Sequence, residues 1–139
     1  MPVKVHWDPY FLDSTTPKEG RDLQEYLSSK YGAAAVARFS GPDNPLDNAG
    51  RRVGIEFNKS RRIVNTVDSH RIMEWCNDKH PEKADGLMDK LFKAYFVEAK
   101  DVSDHSVLSD ICVTEGLDAA EVQDILRTGM ATVLCCVIL

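Results

Sequence analysis

This chain lacks the sequence features of a metal site, an export signal and a membrane-spanning helix. Its four cysteines, Cys76, Cys112, Cys135 and Cys136, form no C-x-x-C pair, and no Cys/His set has zinc spacing. No apolar run approaches the ~20 residues that a membrane helix needs. No apolar stretch follows Met1, so we expect no signal peptide, a cytoplasmic location and cysteines that remain thiols.

Local catalytic motifs are equally scarce. The chain has no Gly-x-x-x-x-Gly-Lys phosphate loop and no Gly-x-Ser-x-Gly elbow. The four histidines are scattered, with no carboxylate at ligand spacing. Ser69 and His70 are neighbours, but adjacent side chains on a helix point in different directions and cannot form a nucleophile–base pair. We therefore predict no catalytic residue, no metal ligand and no cofactor from local motifs.

The overall composition is that of an ordinary globular domain. The 139 residues are 43% hydrophobic and 28% charged, which suits one domain with a buried core. A net charge of −5 argues against a nucleic acid or an anionic membrane as the partner. The composition leaves the oligomeric state open.

The first half of the chain mixes one predicted strand with short helices and loops. Val3, Val5 and Trp7 alternate with polar residues, which predicts a half-buried strand that ends at Asp8-Pro9. Thr16 can cap the first helix. The predicted elements are a strand over residues 3–7, helices over 18–31 and 33–39, a loop over 41–50 and an extended piece over 53–57.

The second half of the chain predicts four amphipathic helices that bury their apolar faces on one another. Asn65 or Thr66 can cap the first, and Asp104 and Asp118 can cap the last two. The residues expected to face inward are Ile72, Trp75 and Cys76; Leu87, Met88, Leu91, Phe92, Tyr95, Phe96 and Ala99; Val107, Leu108, Ile111 and Cys112; Val122, Ile125 and Leu126.

The order of several short segments resembles one protein family. These segments are Val5-His6-Trp7-Asp8-Pro9-Tyr10-Phe11-Leu12-Asp13, Pro17-Lys18-Glu19-Gly20, Gly54-Ile55-Glu56-Phe57, Asn65-Thr66-Val67-Asp68-Ser69-His70-Arg71, Leu91-Phe92-Lys93-Ala94-Tyr95-Phe96 and Gly116-Leu117-Asp118. Together they are similar to the DsbA-like thioredoxin-fold oxidoreductases, the FrnE-like branch in particular. The resemblance extends over residues 3–126.

The resemblance implies an α/β thioredoxin-like fold with a helical domain inserted into it. For this chain it implies an incomplete sheet and a predominantly α structure. Residues 1–17 would be the thioredoxin-core strand and loop, residues 18–128 the mainly helical insertion, and residues 129–139 an apolar tail off the family pattern.

The resemblance also implies thiol–disulfide exchange, but two elements of that chemistry are absent. The family's C-x-x-C does not occur, and no proline lies beyond Pro81 to supply the family's cis-proline loop. We therefore interpret the chain as a truncated, catalytically inactive oxidoreductase-like protein, with thiol proteins or a small-molecule thiol as partners. The alternative is a non-catalytic helical module that binds another molecule.

Some members of the family bind glutathione or small aromatic substrates in a groove between core and insertion. By resemblance, that groove would be bordered here by Asn65, Thr66 and His70, with Pro9 and Phe11 beside it. An exposed helix N-terminus at this place suits a carboxylate. The alternative is that Asn65 and Thr66 only cap the helix and that Phe11 packs in the core.

The last four residues carry a possible lipidation motif. Cys136-Val137-Ile138-Leu139 fits the C-a-a-X pattern with terminal Leu, which predicts geranylgeranylation at Cys136 in a eukaryotic host. Stable anchoring needs a second signal such as a polybasic patch, and Arg127 is the only cation in the last 39 residues. The alternatives are a strand, or an end produced by truncation or alternative splicing.

Overall fold

A computed structural model describes residues 3–41 and 44–129, and this part of the chain is mostly helical. The α-helices are α1 (Leu23–Tyr31), α2 (Ala33–Ser40), α3 (Pro45–Arg52), α4 (Val67–Lys79), α5 (Ala84–Phe92), α6 (His105–Thr114) and α7 (Ala119–Thr128). A 3₁₀ turn, Pro81–Lys83, precedes α5, and a π-helical turn, Lys93–Val97, continues it. The predicted predominance of helix is therefore confirmed.

Helices α4 to α7 bury their apolar faces on one another and form the core. Ile72, Leu87, Leu108 and Val122, one from each helix, are fully buried. The predicted inward residues thus pack together in the main, because each helix places them on a single face. Phe92 departs from this pattern, since 46% of its surface is exposed.

The predicted caps of these helices are confirmed where aspartate supplies them. Asp104 Oδ1 accepts from the backbone N–H groups of Ser106 and Val107, and Asp118 Oδ1 caps α7 in the same way. At α4 the cap is Asn65, whose Oδ1 accepts from Val67 N at 3.1 Å. The Thr66 side chain makes no capping hydrogen bond.

The predicted start of the first helix was wrong. The helix begins at Leu23 rather than residue 18, because Asp22 caps it through the N–H groups of Gln24 and Glu25. Just before it, Arg21 pairs with Ile63 in an isolated antiparallel bridge, which holds this segment out of the helix. Thr16 therefore does not cap: its hydroxyl donates to Asp13 O instead.

The predicted loop over residues 41–50 was also wrong, because α3 occupies Pro45–Arg52. Asn44 Oδ1 accepts from Leu46 N at 2.9 Å, and Pro45 at the first helical position has the backbone angle that a helix needs. Asn44 and Pro45, which are residue types common in loops, therefore start a helix here. Gly50 is buried within α3, close to the ring of Phe57.

The predicted strand over residues 3–7 does not form, and residues 53–57 form no strand either. A strand needs a neighbour for its ladder hydrogen bonds, and in the described ranges the Arg21–Ile63 bridge is the only such pairing. Trp7 nevertheless packs on the helices. Its indole N–H donates to Asp85 Oδ1, and its carbonyl accepts from Asn77 Nδ2. Trp7 thus fastens the end of this segment to the helices, while residues 3–6 are exposed.

Candidate functional site

A groove of about 330 Å³ lies at the start of α4, where the resemblance predicts a ligand site. Three of the five predicted residues, Phe11, Asn65 and Thr66, line it. We call this cavity the α4 groove; its other walls include Leu12, Tyr26, Ile63, Val64, Val67 and Tyr95. The fold therefore brings an N-terminal loop and the beginning of α4 together around one space.

Asn65 is fixed at both ends of its amide. Its Nδ2 donates to Thr16 O at 2.9 Å, while its Oδ1 caps α4 at Val67 N. The side chain thus ties α4 to the N-terminal loop, which is more than capping alone. Thr66 serves the helix through its backbone, since its carbonyl accepts from His70 N and from Ser69 Oγ.

His70 lies behind the groove rather than in its wall. Its ring meets the ring of Phe11 edge-on, with centroids 4.7 Å apart. Burial lowers the pKa of His70, and its buried Nδ1 has no hydrogen-bond partner in the described part of the chain. Burial therefore disfavours the protonated form of the imidazole. Pro9, the fifth predicted residue, is half-buried and is not among the lining residues.

A charged cluster that no local motif predicts lies beside this region. Asp68 Oδ2 lies 2.8 Å from His105 Nε2, and its Oδ1 accepts from Arg71 at 2.5 Å. Burial by itself raises the pKa of Asp68, but the hydrogen bonds from His105 and Arg71 outweigh it and hold the pKa below its usual value. The cluster joins the first turns of α4 and α6, and only the folded structure brings it together.

The described residues offer no place for a metal ion and no transmembrane helix. Residues 3–41 and 44–129 contain no group of three or more His, Cys, Asp or Glu side chains that could hold a metal. No helix in these ranges is long and apolar enough to cross a membrane.

Comparison with known proteins identifies the family. The model of the DSBA-like thioredoxin domain matches residues 1–134. The chain belongs to this DsbA-like family. Its fold is accordingly thioredoxin-like of the DsbA type, and the part described here is mainly helical.

A solved structure supports the same assignment. A probable DsbA oxidoreductase from Streptomyces coelicolor superposes with a TM-score of 0.75 at 25% identity. The match covers 86% of this chain and 51% of that one, so the chain spans about half the length of that relative. No curated protein matches the chain.

The two described cysteines of this DsbA-like chain are poorly suited to redox chemistry. Cys76 and Cys112 are fully buried in the core, as predicted, and neither forms a disulfide. Burial raises the pKa of Cys76 to about 11 and that of Cys112 to about 12. Thiol exchange proceeds through an accessible thiolate, so neither sulfur is prepared for attack. Cys135 and Cys136 lie outside the described residues.

Proposed function

We propose that the chain is a thiol–disulfide oxidoreductase-like protein of the FrnE-like branch that does not itself catalyse thiol–disulfide exchange. The observation that carries this proposal is the state of its thiols. Cys76 and Cys112 are buried and protonated, and the sequence contains no C-x-x-C at all. A redox cysteine of a thioredoxin-like protein needs exposure and a lowered pKa, and these two sulfurs have the opposite properties.

The test is the reduction of insulin by dithiothreitol, followed as turbidity. The 139-residue chain is compared with its Cys135→Ser/Cys136→Ser variant and with a sample that contains no protein. We expect all three time courses to coincide. A faster rate for the unmodified chain, lost in the double variant, would show that the last two cysteines exchange and would contradict the proposal.

The second candidate function is a non-catalytic binding module for a thiol compound such as glutathione. It is supported by the α4 groove, which is lined in part by residues at the start of the 13-residue helix α4. Apolar walls from Phe11, Tyr26 and Tyr95 surround this helix start. Glutathione would place a carboxylate there and its apolar part against the rings.

This second function is tested by titrating glutathione into ¹⁵N-labelled protein. We expect amide shifts confined to residues 11–16 and 63–68, and weaker binding in Thr66→Val, which keeps the shape and removes the hydroxyl. Val113→Ala, on the exposed face of α6, is the matched control. An absence of shifts at millimolar glutathione would leave the groove without this ligand and end the proposal.

Lipidation at Cys136 and a reducing, cytoplasmic location complete the proposal. The unpaired thiols of Cys76 and Cys112 support a reducing compartment. The intact mass of protein purified from eukaryotic cells tests the lipid, since geranylgeranylation adds one isoprenoid chain and Cys136→Ser removes the increase. An unmodified mass in both proteins would exclude the modification in those cells.

A further inference from the structure

A second and larger cavity shares no lining residue with the α4 groove. Its volume is about 680 Å³, within the range of small-molecule sites. Its apolar walls are Ile55, Phe57, Phe92, Phe96 and Val97. We call it the phenylalanine cavity, because three of these five side chains are phenylalanine rings.

The three rings are arranged edge to face. The centroids of Phe57 and Phe96 are 6.0 Å apart, and those of Phe92 and Phe96 are 5.9 Å apart. Aromatic rings favour this geometry, and a further ring that entered the cavity could make the same contacts. Of the three rings, Phe92 has the most apolar surface for a ligand to cover, since 46% of its surface faces water.

The two walls of the cavity are held together by backbone contacts. Asn58 N donates to Phe96 O at 2.8 Å, which fixes residues 55–58 to the π-helical turn Lys93–Val97. On the other side, a Cβ added to Gly50 would lie 2.7 Å from the Phe57 ring, so α3 packs directly on that ring. A pre-formed site loses little entropy when it binds.

The rim of the cavity carries two charges of each sign. Arg51 and Glu56 belong to one wall, and Asp89 and Lys93 lie one helical turn apart on the other. Arg51, Glu56 and Asp89 form no ion pair within the described residues, and Lys93 lies 4.0 Å from Glu98, so an ion of either sign would meet both attractive and repulsive charges. The balance of charge gives no net attraction for an ion of either sign.

From these observations we propose that the phenylalanine cavity binds a small, uncharged, ring-bearing apolar molecule. The ring edges select an aromatic or polycyclic shape, the apolar walls select against polar atoms, and the balanced rim selects against charge. This proposed site contains no cysteine and shares no lining residue with the α4 groove. It adds a binding activity to the function proposed above.

The experiment uses N-phenyl-1-naphthylamine, an uncharged dye that fluoresces in apolar sites. Trp7 meets Phe92 edge-on with centroids 6.1 Å apart, so in a Trp75→Phe background the remaining tryptophan reports on the cavity. We expect saturable binding of one dye per chain, with quenching of Trp7 as energy passes to the dye. Phe92→Ala, which removes a ring from the wall, should weaken binding about tenfold.

Two protein controls and one ligand control make the test specific. Leu12→Ala, in the α4 groove, and Val113→Ala, on α6, should leave the affinity unchanged within about twofold. The sulfonated form of the same dye, 8-anilinonaphthalene-1-sulfonate, should bind at least about tenfold more weakly, because placing its charge against the apolar walls costs hydration that the balanced rim does not return. Non-saturable binding, equal affinity for the sulfonate, or a loss on Leu12→Ala but not on Phe92→Ala would each overturn the proposal.

Discussion

The buried ring nitrogen Nδ1 of His70 has no hydrogen-bond partner among the described residues, and the ring packs edge-on against Phe11. A neutral imidazole tolerates this environment, but an imidazolium would lose much of its hydration there, which is why burial lowers the His70 pKa. The residue therefore serves as packing support for the loop that lines the α4 groove. It is also a point at which acid weakens the fold.

We predict that His70→Phe reduces the loss of stability in acid. Below about pH 6.5, His70 binds a proton in the unfolded chain more readily than in the folded chain. The free energy of unfolding of the wild type therefore falls as the pH drops through this value. Phenylalanine keeps the ring contact with Phe11 and removes the titration. Urea unfolding at about pH 7.5 and 5.5 measures the effect. The exposed His6→Gln should behave like wild type, and an equal acid loss in His70→Phe would contradict this account.

Three of the five residues predicted for the candidate site line the α4 groove and two do not, so the sequence indicated its place but not its geometry. Asn65 and Thr66 follow from a helix start that can be read locally. The contact between Phe11 and His70 joins residues 59 positions apart and depends on how the N-terminal loop folds over α4. The phenylalanine cavity was missed, because Phe92 and Phe96 were assigned to the buried face of α5 on their spacing alone.

At the scale of elements, the helix termini show how local chemistry sets structure. Asp22, Asp104 and Asp118 each accept two backbone N–H groups at a helix start. Those hydrogen bonds satisfy donors that would otherwise face water or remain unpaired. Gly129 ends α7 in the left-handed region, with φ of 65°, which a residue with a side chain seldom adopts.

We predict that Asp118→Ala destabilises the protein by about 1 kcal/mol, the usual cost of a lost N-cap. Asp118→Asn should recover most of this loss, because an amide oxygen can accept from the same Ala120 and Glu121 N–H groups. Urea unfolding at neutral pH distinguishes the two variants. If both variants lose the same free energy of unfolding, Asp118 stabilises the helix through its charge rather than through the geometry of the cap.

We predict that the Asp68 cluster stabilises the contact between α4 and α6 in a pH-dependent way. Because the folded pKa of Asp68 is lowered, its contribution is present above the usual carboxyl pKa and disappears as the pH falls through the folded value. Asp68→Asn should cost about 1 kcal/mol at neutral pH, since the partner His105 is half exposed. The cost should vanish near about pH 2. The exposed Asp110→Asn is the control, and a cost that did not change with pH would contradict the cluster's role.

The wrongly predicted elements differ in whether neighbouring residues could have specified them. Helices α4 to α7 follow from periodicity and caps within ten to fifteen neighbouring residues. The strand over residues 3–7 depends on a distant partner, which alternation in the sequence cannot supply. The miss at α3 was different, because Asn44-Pro45 is itself a local helix start and the abundance of Gly, Pro and Asn concealed it.

At the scale of the whole molecule, the described part of this DsbA-like chain is a helical assembly, and its two described cysteines lie in the core. Cys76 on α4 and Cys112 on α6 lie with Ile72, Leu87 and Leu108 in the same cluster. Their raised pKa values follow from that burial. The cavities at the surface, and not these two buried thiols, are therefore the places at which we propose that this part of the chain binds other molecules.

The most direct test of this account is the reaction of the native thiols with 5,5′-dithiobis(2-nitrobenzoic acid). In the Cys135→Ser/Cys136→Ser variant only Cys76 and Cys112 remain. We predict no thiol reaction with the folded protein over minutes at neutral pH, and reaction of both thiols once guanidinium unfolds it. Rapid reaction of either thiol in the folded state would show an accessible thiolate and contradict the central claim.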